Sequence, residues 1–143
     1  MILLAGALLS ATGADARDVL GGPFLAKVDR VVDGDTLRVR VRIWVDQEVD
    51  VLVRLKGIDA PETRGRCPAE RQLARRAKAY LAAAVQSGEV RLTNIIGGKY
   101  WGRVIADVTT TEGNRVASAM LAHGLVRPYR GRKRTSWCEG QSR

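Results

Sequence analysis

The chain has 143 residues, 45% of them hydrophobic, which suits one globular domain with a single core and does not require a second. Its 24 Lys and Arg outnumber 15 Asp and Glu, for a formal charge of +9, so the simplest partner is a polyanion held in a salt-dependent way. Charge alone fits a nucleic acid, a membrane surface or an acidic polysaccharide.

Residues 1–16 stand apart, because Ile2 to Leu9 form an apolar run and Ala14-Asp15-Ala16 matches the small-x-small pattern before a signal-peptidase cut. They read as a secretory signal, although no positive charge precedes the run, which leaves an upstream start open. The run is too short to span a bilayer as a mature helix, so no stable membrane insertion is expected after cleavage. A periplasmic or secreted protein follows, with residues 17–143 as one domain.

Residues 24–32 supply a first strand. Residues 36–45 alternate with period two, with Leu37, Val39, Val41, Ile43 and Val45 on one side and Arg38, Arg40, Arg42 and Trp44 on the other. Val49, Val51, Val53 and Leu55 repeat the alternation after Asp46-Gln47-Glu48, so a hairpin joins these strands. Residues 68–87 read as a helix, with Pro68 in the first turn, Glu70 favouring the N-terminal dipole and Gly88 past the end. Its apolar stripe is Leu73, Ala77, Tyr80, Leu81, Ala84 and Val85.

Residues 89–96 and 103–109 are two further strands, separated by Gly97-Gly98 and the aromatic pair Tyr100-Trp101. A shorter helix fits residues 116–123, with Met120 and Leu121 inward and Gly124 as the stop. Residues 127–143 form a basic tail with no periodicity. Five short strands with one long helix after the third predict a small closed β-barrel, mainly β, with two helices packed on it.

Cys67 and Cys138 permit one intramolecular bridge, which survives where an exported protein resides; in a reducing compartment they would be free thiols. A bridge would tie the tail back beside the loop that carries Glu62. Neither cysteine has a second Cys or His at zinc-ligand spacing.

Asp33-Gly34-Asp35 and Asp59-Ala60-Pro61-Glu62 each read, taken alone, as ordinary turn chemistry. Their company changes that reading. Arg54 lies on the face of its strand opposite Val51, Val53 and Leu55, and Arg103 follows a glycine at the start of a strand. Carboxylates that can hold a hard cation beside guanidinium groups shaped to grip phosphate are what metal-assisted phosphodiester hydrolysis requires.

The ordered set Asp-Gly-Asp-Thr, Arg-x-x-x-x-Asp-x-Pro-Glu-Thr and aromatic-Gly-Arg resembles the staphylococcal nuclease (thermonuclease) family over residues 24–129. The resemblance implies an OB-fold barrel that hydrolyses DNA and/or RNA with calcium, attacking phosphorus with water. By position, Asp35, Asp59 and the Ala60 carbonyl would hold Ca2+, Glu62 would orient or deprotonate the water, and Arg54 and Arg103 would hold the phosphate. Tyr100, Trp101 and Tyr129 become candidate substrate contacts, with ordinary packing an equal reading for Tyr129. The chain departs from the family pattern at Ala60, where threonine is usual, and at Trp101, where tyrosine is usual. The hairpin between Asp35 and Arg54 is longer than in the family's prototype, and the prototype's long C-terminal helix has no counterpart.

A monomer is expected. The rival reading is a nonenzymatic OB-fold module that binds nucleic acid without cutting it. A pure binder has no need of three acids beside its phosphate site, which repel the ligand unless a metal is present. His123, the single histidine, reads as a surface or capping residue. Trp44 and Trp137 could stack on bases or cover barrel edges.

Overall fold

The computed structural model describes residues 18–138, so the expected signal segment, 1–16, lies outside the described residues. In chain order the elements are β1 (Val19–Leu20), β2 (Phe24–Asp33), β3 (Thr36–Trp44), β4 (Gln47–Leu55), β5 (Ile58–Asp59), α1 (Pro68–Ala84), β6 (Glu89–Gly97), β7 (Arg103–Thr110), α2 (Val116–Ala122) and β8 (Arg127–Pro128).

The five longer strands run β6-β2-β3-β4-β7, and β7 pairs back onto β6, closing a barrel with two helices on it. This is the OB-fold architecture expected from the sequence. All its ladders are antiparallel except β4 with β7, which run parallel with Leu52 opposite Arg103 and Arg54 opposite Ile105. Alternation puts Leu37, Val39, Val53, Leu55, Val90, Leu92 and Ala106 inside, where Ala77 and Leu81 of α1 and Val116 and Met120 of α2 cap them.

One expectation fails at the far end of the hairpin. Ile43 and Val45 continue the period-two pattern of Leu37, Val39 and Val41 but are 52% and 75% exposed, because β3 and β4 extend past the barrel wall. The turn is also tighter than expected: Trp44 pairs with Gln47, and Asp46 takes the left-handed conformation (φ 56°) that a short polar side chain tolerates.

Helix α1 begins where the sequence places it. Cys67 is its extended N-cap, the Cys67 Sγ accepts from the Glu70 amide at 3.4 Å, and Pro68 has no amide to leave unpaired. The helix buries Glu70, Ala74, Ala77 and Leu81, and small alanines at its contact face let it lie close to the strands. No helix among the described residues is long and apolar enough to cross a membrane.

Cys67 and Cys138 form a disulfide, with Cα atoms 5.9 Å apart across 71 residues of sequence, which fits an oxidising, extracellular location. Together with β8, which pairs with β5 (Ile58 opposite Pro128, Asp59 opposite Arg127), it lays the C-terminal segment along the loop after Asp59. The bridge is the one expected from the two cysteines, and the β5–β8 pairing is a further tie. A closed loop of this length restricts the unfolded chain by about 4 kcal/mol, so reduction should lower the melting temperature on the order of 10 °C. A thermal melt with and without a dithiol checks this, and an unchanged midpoint would remove the bridge from the stability of the fold.

Candidate active site

β2 ends at Asp33, and the chain turns through Gly34 and Asp35 into β3. The glycine is set by crowding. A Cβ at Gly34 would stand 2.8 Å from the Ala77 Cβ of α1 and 3.0 Å from the Ala60 Cβ, closer than packed atoms tolerate. Helix, turn and Asp59 loop therefore meet at one point, and Asp35 is buried there.

Three donors hold the Asp35 carboxylate. Thr36 Oγ1 donates to Oδ1 at 2.8 Å, the Ala60 amide donates to Oδ2 at 3.2 Å, and Arg54 Nη2 is paired with Oδ2 at 3.0 Å. The same Arg54 nitrogen donates to Asp59 Oδ1 at 3.2 Å. Strand pairing explains the meeting, since Thr36 lies directly opposite Arg54 and Asp59 follows β4 after a short turn. Arg103 joins them on the outer face of the barrel, because parallel β7 places Arg103 beside Leu52 and Ile105 beside Arg54.

Pro61 is buried and Glu62, one residue on, is exposed. The loop is clamped from below by Glu70, whose buried carboxylate accepts from the Glu62 amide at 3.3 Å and the Arg66 amide at 3.0 Å. Thr63 Oγ1 donates to Asp33 Oδ1 at 2.9 Å and ties the loop to the first turn. Asp35, Arg54, Ala60, Glu62 and Arg103 thus line one polar cleft of about 150 Å³. A larger apolar groove of about 690 Å³ adjoins it through Arg103 and includes Tyr100 and the fully exposed Trp101. Tyr129 lies on the other flank, with the Arg54 guanidinium 6.0 Å from its ring centre.

Three residues outside the expected site set also reach it. Arg134 enters from the tail: its Nε is paired with Asp59 Oδ1 at 2.6 Å, Nη1 with Glu62 Oε1 at 2.6 Å, and Nη2 donates to the Ala60 carbonyl at 3.1 Å. Trp137 Nε1 donates to Asp59 Oδ2 at 3.3 Å, so the indole lies over that acid. Glu70 serves as the loop's clamp as well as a partner of the helix dipole. Trp44 is exposed at the hairpin end, and His123 is the C-cap of α2 with its ring 4.7 Å from Tyr80.

Hard cations take oxygen ligands, and the donors available are all oxygen: two buried carboxylates meeting at one Arg54 nitrogen, with the Ala60 carbonyl alongside. That set fits calcium. Glu62 stands outside it: among the described residues the trio of ligating side chains within 4.8 Å of one another is Cys67, Glu70 and Cys138, and the disulfide consumes both of those sulfurs.

Burial pushes the Asp35 carboxyl above its ordinary 3.8, against the charge of Arg54 and the bonds from Thr36 and Ala60; the Asp59 charge adds to the rise. The folded protein therefore holds this proton to higher pH than the unfolded chain does. The stability it contributes is complete below 3.8 and is lost as pH rises through the folded value. Asp35→Asn has no such proton to lose, so it should gain stability on the metal-free wild type as pH rises from below 3.8 to neutrality. Urea unfolding of both proteins across that range checks the sign, and a difference independent of pH would contradict it.

No curated protein matches the chain. The family model described as "Staphylococcal nuclease homologue" matches residues 52–140, more than half of the chain, taking in Arg54, Asp59, Ala60, Glu62, both cysteines, Arg103 and Arg134, with Asp35 ahead of the matched span. With the closed barrel, this match points to a nuclease-like or nucleic-acid-binding role. By that match the chain belongs to the staphylococcal nuclease homologue family.

Proposed function

We propose that the protein is an exported, calcium-dependent phosphodiester hydrolase that cuts DNA and/or RNA by attack of water on phosphorus. The observation that carries this reading is the meeting of Asp35 and Asp59 at one nitrogen of Arg54, with Arg103 on the same barrel face. Asp35, Asp59 and the Ala60 carbonyl would hold calcium, which when bound supplies positive charge against the anionic phosphate. Arg54 and Arg103 donate hydrogen bonds to the phosphoryl oxygens, whose negative charge grows as water adds, so these bonds tighten in the transition state. Glu62 takes a proton from the water as its oxygen bonds to phosphorus. The ester oxygen leaves with its electron pair and is protonated by solvent. Tyr100 and Trp101, beside Arg103, offer aromatic faces to the flanking bases.

The rival, a nonenzymatic binder, would draw on the basic strand face. Much of that face is already paired, Arg38 with Asp50, Arg40 with Asp29 and Arg42 with Glu48, which leaves the acid-lined cleft as the distinctive phosphate site. Purified protein incubated with single-stranded DNA, duplex DNA and RNA should cleave at least one of them with calcium and none with a chelator. Folded protein that binds but never cuts in calcium would transfer the assignment to the binding module.

A further inference from the structure

The guanidinium of Arg134 occupies oxygens that the proposed reaction needs for other purposes. Asp59 Oδ1 and the Ala60 carbonyl belong to the cation set, and Glu62 Oε1 is the proton acceptor, yet Nε, Nη2 and Nη1 of this one side chain take all three. Asp59 Oδ1 already carries Arg54 Nη2 beside the Arg134 Nε, and the Ala60 carbonyl is held by Arg134 Nη2, so a cation that takes both of these oxygens must displace the Arg134 guanidinium.

The tail that carries Arg134 is fastened on both sides. Arg127, on β8, stacks its guanidinium 3.9 Å from the Trp137 ring centre and donates to the Ser136 carbonyl at 2.9 Å. Trp137 donates to the second oxygen of Asp59, and Cys138 is bonded to the N-cap of α1. With the covalent anchor four residues beyond it, a displaced Arg134 stays near its acceptors at high effective concentration.

We propose that Arg134 is a tethered competitor of the divalent cation: the docked tail closes the cation site and masks Glu62, calcium binding expels the guanidinium, and the Cys67–Cys138 bridge sets how strongly the tail competes. This rests on the assignment of Asp35, Asp59 and the Ala60 carbonyl to calcium. The protein is then self-restrained at low calcium and opens as the cation concentration rises.

The test is calcium binding by titration calorimetry on the full chain without nucleic acid. If the cation-competent form is about one tenth of the wild-type population, Arg134→Gln should bind calcium about tenfold more tightly. Lys133→Gln removes a neighbouring charge that makes no contact with the acids, and its affinity should stay within about twofold of wild type. Arg134→Lys keeps the charge but cannot span three acceptors, so it should gain an intermediate amount; it also keeps the test open if the glutamine variant does not fold. Replacing both cysteines by serine opens the tether while leaving a good N-cap for α1. That pair should tighten calcium binding in the wild type and add nothing to Arg134→Gln.

Unchanged or weaker binding in Arg134→Gln, or an equal gain in Lys133→Gln, would overturn the competition while leaving the calcium site standing. Calcium binding in none of the proteins would instead remove the cation assignment, and the competition with it.

Discussion

Arg54→Lys is expected to lower kcat by about 10²- to 10³-fold, about 3–4 kcal/mol in the barrier, in a protein that still folds. The size of the loss follows from how the guanidinium is divided. Nη2 serves both Asp35 and Asp59, whereas among the described residues no protein acceptor meets Nε or Nη1, so that edge is left to face phosphate in the cleft. Lysine presents a single point charge. It can stay with the two buried acids or reach the phosphate, but it has no second edge with which to do both. Alanine would be a poorer probe, since it leaves two buried carboxylates without their shared cation and lowers stability along with rate. The measurement is kcat and KM on one oligonucleotide, with a thermal melt as control. A raised KM at unchanged kcat would mean that Arg54 binds ground and transition states equally, which contradicts its assigned role.

Much of this geometry is legible in the chain because single strands with one buried face write their period into the sequence. Leu37, Val39 and Val41 against Arg38 and Arg40 define β3, and its pairing partner follows from the same alternation through Leu55. The register is not written there: a turn at Asp46-Gln47-Glu48 would set Arg54 opposite Arg40, whereas Trp44 pairs with Gln47 and Arg54 stands opposite Thr36, beside Asp35. Period does not state where a barrel wall ends, either. Ile43 and Val45 keep the pattern of their neighbours and still lie in solvent, since the hairpin runs beyond the strands that would cover them.

What could not be read is contact between segments far apart. β5 and β8 are only two residues each, too short for any periodicity, and their pairing brings Arg127 to Asp59. The cysteines show that the tail returns to the Glu62 loop. Nothing local distinguishes Arg134 from Arg130, Arg132 and Lys133 as the base that enters the cleft, since the choice is made by the anchors at Arg127, Trp137 and Cys138. Gly34 was similarly opaque: as half of an Asp-Gly pair it looks like turn chemistry, while its real constraint is the approach of Ala77 and Ala60.

Glu62→Gln should reduce kcat by about 10²- to 10⁴-fold, the range for loss of a positioned proton acceptor, and leave substrate affinity within a few-fold. Glutamine has the same shape and can still accept from Arg134, so the substitution removes basicity with little change in structure. The side chain is half exposed, at 51%, as a group that handles a solvent-derived nucleophile should be, while its backbone is fixed by Glu70. That division separates Glu62 from its clamp. Glu70→Gln weakens the hold on the Glu62 and Arg66 amides and should lower stability as well as rate, whereas Glu62→Gln should affect rate alone. Removing Arg134 in the Glu62→Gln background should tighten calcium binding without restoring turnover, because a freed cation site still has no group to take the proton. Equal losses of kcat and of substrate affinity in Glu62→Gln would place Glu62 among the binding residues and leave the water without its base.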